Sequence, residues 1–113
     1  MDLQGRRWTV QDQFGNLVYL TEERWQHIID AENHPEVEDY EKYVQATVRH
    51  GQRRQEPLNP RKYRYVRMFA DLPDGMNHVV VIVMFGSQVD SAGRIQANNY
   101  VATAFLKHLL AKE

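Results

Sequence analysis

Histidine titrates near neutral pH and moves protons without a cofactor, so the five histidines of this chain are the first candidates for chemistry. His27 follows Trp25 and precedes Ile28 and Ile29, an i, i+3, i+4 apolar stripe. At the ~100° step of a helix it lies about 200° around from Trp25, on the side of Arg24 and Asp30. A histidine off the apolar stripe has no packing duty and is open to act as acid or base, although most such histidines are plain surface residues. His34, ahead of Pro35, reads as a turn or cap residue. His50, flanked by Arg49 and Arg53, suits the C-terminal end of a helix, where cations meet the dipole. His78 and His108 carry no accompanying pattern.

Other chemistries find less material. No two histidines are spaced HxH or HxxxH and cysteine is absent, so no metal ligand set is expected. Glu22 and Glu23 are adjacent and point apart. There is no glycine-rich phosphate loop, and Ser87 and Ser91 lack a nucleophile motif, so no cofactor is expected. What stands out is positive charge. Arg49, Arg53, Arg54, Arg61, Lys62, Arg64 and Arg67 make up half of the 14 lysines and arginines, opposed in that stretch only by Glu56. Within it, Tyr63 and Tyr65 alternate with the arginines. Arginine binds phosphate in bidentate fashion and tyrosine stacks bases or donates a hydroxyl, so the stretch is a candidate RNA platform. The competing structural reading is an edge or solvent-facing strand, where tyrosine is favoured and arginine blunts edge pairing.

These residues need elements to hold them. Trp8 to Leu20 reads as a hairpin turning at Phe14-Gly15-Asn16. Thr21 is a helix N-cap, with Glu22 and Glu23 where the dipole favours acids, and this first helix should end near Asn33, before His34-Pro35. A second helix starts at Pro35, carries Val37, Tyr40, Val44 and Val48 at helical spacing, and stops at Gly51. Gln52 to Arg61 is polar, holds Pro57 and Pro60, and reads as a loop. Lys62 to Ala70 is a strand with Tyr63, Tyr65, Arg67 and Phe69 on one face and Arg64, Val66 and Met68 on the other. Val79 to Val83 is an unbroken β-branched run suited to a central strand covered on both faces, within Asn77 to Phe85. Gly86 to Gly93 reads as a turn or loop. Asn98 to Phe105 reads as a strand, while the tail Ala102 to Lys112 reads equally as a helix with Phe105, Leu106, Leu109 and Leu110 as its stripe, so a strand passing into a short terminal helix near Leu106 is expected.

The whole is an α+β fold: an N-terminal hairpin and two helices packed on a mainly antiparallel sheet of about four strands, one domain over residues 1–113. With 42% hydrophobic and 26% charged residues the chain is globular rather than disordered. The N-terminus lacks an apolar signal core, and the longest apolar run, Val79 to Phe85, is far short of the roughly 20 residues of a membrane helix. Together with the missing cysteines this gives a cytoplasmic expectation and no membrane partner. Net charge is −1, yet Glu22 to Glu41 holds eight acids against Arg24. The molecule is electrically two-faced.

The order of these motifs is similar to a known family. Phe14-Gly15, Leu20-Thr21-Glu22-Glu23-Arg24-Trp25, His27-Ile28-Ile29 and His34-Pro35-Glu36 resemble the opening of the phage-associated barnase–EndoU–colicin E5/D–RelE-like nucleases. Tyr63-Arg64-Tyr65-Val66-Arg67, Val79 to Val83 and Thr103-Ala104-Phe105 resemble that group's later strands, so the likeness spans about Val10 to Phe105. It implies metal-independent RNA cleavage by a toxin-like enzyme, with RNA as substrate and an antitoxin or immunity protein as partner. His27 would match the family's helix histidine, Arg64 or Arg67 its phosphate-binding arginine, and Thr103 its terminal-strand polar residue. Arg49, Arg53, Arg54, Arg61, Lys62, Tyr63 and Tyr65 would then bind RNA. A non-catalytic protein- or RNA-binding accessory module is the alternative. In that case the acidic helices and the basic stretch are docking surfaces, and His27 has no task.

Overall fold

The computed structural model describes residues 5–110. Among them, two strands, β1 (Arg6–Gln11) and β2 (Leu17–Thr21), lead into helix α1 (Glu22–Ile28). A 3₁₀ segment (Pro35–Tyr40) precedes helix α2 (Glu41–His50), and six further strands follow: β3 (Gln52–Glu56), β4 (Asn59–Met68), β5 (His78–Met84), β6 (Ser87–Val89), β7 (Ile95–Ala97) and β8 (Asn99–Lys107). The main sheet has the order β1-β2-β8-β5-β4-β3, and β6 and β7 form a separate two-stranded ribbon. All pairings are antiparallel except β2 with β8. The fold is α+β, with two helices and a mainly antiparallel sheet.

The differences from expectation have local causes. The main sheet has six strands rather than about four. One reason is that the polar stretch Gln52 to Arg61 is no loop. It supplies β3 and the start of β4, paired from Gln52↔Val66 to Glu56↔Asn59. An edge strand needs no apolar alternation, and Pro60 is tolerated at the beginning of a strand. A second reason is that β1 and β2 pair with each other as part of the sheet, joined to β8 through Val18↔Asn99 and Tyr19↔Tyr100, instead of packing on it. Helix α1 is capped by Thr21 Oγ1 accepting from Arg24 N at 3.0 Å, but stops at Ile28 rather than near Asn33. There the Asn33 side chain donates to the His27 carbonyl and His34 N donates to the Ile28 carbonyl, which turns the chain early. Gly86 to Gly93 includes β6, part of the ribbon. The expected passage into helix near Leu106 does not occur through residue 110. Leu106 stays opposite Val79 as a strand residue, and Asn77 grips Leu109 through both its main-chain N–H and its carbonyl. Residues 111 and 112 of that proposed helix lie outside the described residues.

Strand β5 is flanked by β4 and β8, and Val79 to Val83 are at most 7% exposed. Val79, Val81 and Val83 join Val18, Leu20, Trp25, Ile28, Val37, Val44, Val48, Tyr65, Val101, Ala104 and Leu106 in the core beneath the helices. The sheet curls towards that side. Asp12, just past β1, accepts a hydrogen bond from Tyr65 Oη of β4 at 2.6 Å, although β1 and β4 are far apart in the strand order. At the other end Arg7 donates to Glu41 of α2 and, at 2.6 Å, to Glu22 of α1, while its guanidinium lies over the Trp25 ring. Native-state hydrogen exchange should find its slowest amides in Val79 to Val83, since the central strand opens only with the whole fold. Fast exchange there would contradict this strand order.

Candidate nucleic-acid interface

Alternation fixes what each strand presents. Because Val79, Val81 and Val83 point to the helices, Val80 and Ile82 point to the other face, which is open only at its margins: they are 0% and 7% exposed, whereas Arg54 is exposed and Lys62, Arg64, Tyr100 and Thr103 are half-buried. The register then reads off that face row by row. One row is Arg54, Arg64, Ile82 and Thr103, crossing β3, β4, β5 and β8. The next, towards the start of β4, is Lys62, Met84, Tyr100 and Tyr19. On the other side lie Gln52, Val66, Val80 and Phe105. At a strand spacing of about 4.8 Å, the backbones of Arg64 and Thr103 are about 10 Å apart, within reach of one extended arginine. A bulge between Ile82 and Val83 inserts Ala102, which keeps Tyr100 and Thr103 on the same face while Val101 and Ala104 stay in the core.

The open face is cationic and aromatic. Arg54 and Arg64 stand directly opposite each other, and like charges so placed repel. Ion pairs among the described residues engage Arg7, His34, Arg53 and Arg94, and neither Arg54 nor Arg64. A depression beside this pair is lined by Gln52, Arg53, Arg54, Arg64, Val66, Leu109 and Leu110. Thus the C-terminal leucines run alongside the basic row, and Phe105, farther along β8, lies 5.4 Å from His34, ring centre to ring centre.

His27 is exposed in the last turn of α1. It lines a second depression with Thr21, Glu23 and Arg24. Thr21 and Arg24 also line a third, shared with Tyr19, Tyr100 and Val101, which brings the surroundings of His27 to strand β8. His27 and Arg64 line different depressions of the surface.

The remaining predicted residues divide. Arg67 is opposite Val79 and belongs to the helix side, its guanidinium 5.2 Å from the centre of Phe69, so it cannot share a site with Arg64. Tyr65 is 1% exposed, with its hydroxyl committed to Asp12, and does not reach the surface. Tyr63 is half-buried against Phe85 on the helix side. Arg53, also on that side, pairs with Asp12 at 3.7 Å and lies over the rings of Phe14 and Tyr63. Arg61 donates to the Phe85 carbonyl at 3.0 Å, and Arg49 is exposed at the end of α2. The structure therefore gathers Arg54, Lys62, Arg64 and Thr103 on one face and separates them from Tyr63, Tyr65 and Arg67, while Arg53, turned to the other side, still borders the depression beside Arg54 and Arg64.

Sequence reasoning missed two groups. Asp12 lies ahead of the Phe14-Gly15-Asn16 turn, and its side chain is 1% exposed and takes hydrogen bonds from Tyr65 Oη, Asn16 Nδ2 and the backbone N–H groups of Phe14 and Asn16. Burial pushes its carboxyl up, but those hydrogen bonds outweigh burial and hold it below the usual carboxylate value. Tyr65 is pushed up, by burial first and by the Asp12 hydrogen bond next. The other missed group is Tyr19 with Tyr100, whose ring centres are 6.3 Å apart. They are 81 positions apart in the chain, and only the parallel β2–β8 pairing joins them. Among the described residues no three His, Cys, Asp or Glu side chains cluster as a metal site, and no helix is long and apolar enough to cross a membrane. Compared with known proteins, the chain matches no family model, no curated protein and no solved structure.

Proposed function

We propose that this chain binds single-stranded RNA along the open face of its sheet and cleaves it by attack of the 2′-hydroxyl, as a toxin-like ribonuclease. The observation that carries the binding half is the Arg54–Arg64 pair: two arginines with no ion-pair partner among the described residues face each other across neighbouring strands. Such a pair costs stability in the free protein and is offset when a phosphate lies between the guanidiniums. In line with it is Thr103, and in the next row are Lys62 and Tyr100, which add a cation and an aromatic ring. RNA carries its own nucleophile, so cleavage needs an acid, a base and cations for the charge that develops on phosphorus oxygens. His27 supplies acid–base capacity, Arg64 charge and Thr103 positioning. An antitoxin or immunity partner and a cytoplasmic location belong to the same reading.

The test uses Arg54→Gln with Arg64→Gln. RNA affinity should fall, and the slope of log affinity against log salt should shrink by about 0.7, for the one phosphate of a single strand that the pair no longer neutralises. The melting temperature should stay level or rise, because a repulsive pair has been removed. Wild-type affinity that ignores salt would sink the proposal. One observation favours the second reading, a binding module without catalysis: His27 and Arg64 line separate depressions. Binding that follows the double substitution, with RNA left intact by the wild type, would select that module.

A further inference from the structure

Strands β2 and β8 stay paired only over Val18↔Asn99 and Tyr19↔Tyr100. Beyond Tyr19, β2 runs out at Thr21 into α1, while β8 continues alongside β5 to Lys107. The two strands part, and the gap between them opens the depression lined by Tyr19, Thr21, Arg24, Tyr100 and Val101. Its two tyrosines are set differently. Tyr19 is held: its hydroxyl donates to Asn98 Oδ1 at 2.8 Å, and the Arg6 guanidinium covers its ring at 3.9 Å. Tyr100 is half-buried, tilted 43° against Tyr19, and lines the opening.

We propose that Tyr100, braced by Tyr19, and Arg24 form a nucleotide subsite of the RNA-binding face, a base stacking on Tyr100 and the adjoining phosphate pairing with Arg24. This rests on the reading of the open face as an RNA surface and adds where one nucleotide of the strand is gripped. Aromatic rings accept any base because every base has a π-face, so the subsite holds a strand without reading its sequence. Arg24 is exposed and borders both this depression and that of His27. Thr103 is the next open-face residue along β8 beyond the bulge, so a strand gripped at Tyr100 continues directly towards the Arg54–Arg64 row.

The probe is a short, labelled 2′-O-methyl oligoribonucleotide, which lacks the nucleophile and survives the measurement. Fluorescence anisotropy compares wild type, Tyr100→Leu, Tyr100→Phe, Arg24→Gln and the Arg54→Gln/Arg64→Gln pair. Tyr100→Leu should weaken binding about 5–150-fold, the range for removing one base stack, with the salt slope unchanged. Tyr100→Phe keeps the ring and should bind like wild type. Arg24→Gln should weaken binding and reduce the slope by about 0.7. If Tyr100→Leu fails to fold, Arg24→Gln and an oligomer with one abasic position in each register carry the test. An abasic oligomer that binds wild type as well as the intact one does would overturn the stack. Should Tyr100→Leu and Arg24→Gln bind normally while the Arg54/Arg64 pair weakens, the subsite is wrong and the RNA surface stands. If no variant weakens binding, both fall.

Discussion

His27→Ala should cut RNA cleavage by about 10²–10⁴-fold, the usual worth of a positioned proton-transfer group. The same change should leave stability within about ±0.5 kcal/mol, as for an exposed site. The second expectation follows from the helix. Trp25 and Ile28 are the buried residues of α1, and His27 is exposed between them. The hydrogen bonds that shape the end of this helix use the His27 carbonyl, which accepts from Asn33 Nδ2 at 2.8 Å and from Asp30 N, and alanine keeps that carbonyl. The first expectation follows from the role proposed for His27, a side chain that hands a proton to or from the reacting groups. Cleavage should persist in a chelator. The measurement is cleavage of an unmodified oligoribonucleotide beside thermal melting of the same preparation. Lost cleavage with unchanged melting supports catalysis. A variant that melts and cleaves like wild type removes His27 from the mechanism and leaves the binding module.

Asp12→Ala should destabilise the fold by about 3–5 kcal/mol, the range for stripping one partner from a buried charged network. That is a large part of the 5–15 kcal/mol typical of a domain and should lower the melting temperature by ~10 °C or more. The substitution removes the acceptor for Tyr65 Oη, leaving a hydroxyl on a residue that is 1% exposed without its partner. It also removes the acceptor of the β1–β2 turn, where Phe14 N and Asn16 N both donate to Asp12 Oδ1, and frees Arg53 from its carboxylate. Tyr65→Phe should cost less, about 1–2 kcal/mol, and the double variant should show coupling of about 0.5–3 kcal/mol. The pH dependence has a definite sign. The Asp12 carboxyl is lowered in the folded protein, so its contribution is present above the unfolded value near 3.9 and is lost as pH falls through the folded value. Tyr65 is raised, so its contribution is present below its unfolded value near 10 and is lost as pH climbs through the folded value. Asp12→Ala should therefore flatten the acid limb of the stability profile. Melting unchanged by the substitution would mean that the two regions of the curled sheet hold together without this clasp.

Much of the fold was legible because its signals are local. Thr21 caps α1 through its own hydroxyl, and the period-2 alternation of β4 sorted Arg64, Val66 and Met68 from Tyr63, Tyr65 and Arg67. Carried through, that alternation already separated Arg64 from Arg67, since residues three apart on a strand face opposite ways. The unbroken run Val79 to Val83 marked the strand covered on both sides, because β-branched residues at successive positions suit only such a place. Edge strand β3 was not legible: five polar residues at a sheet margin bury too little to leave a periodic mark. Strand order decided the rest. Which face of β4 looks onto the helices is set by packing against β5 and α2, and only that packing makes Tyr65 a core residue and Arg64 a surface one. Asp12 meets Tyr65 across 53 positions because the sheet curls, and Tyr19 meets Tyr100 because β2 and β8 lie parallel. Residue types and spacing determined which side chains share a strand face; pairings between distant segments have no local periodicity, so the tertiary structure alone decided which faces became one surface.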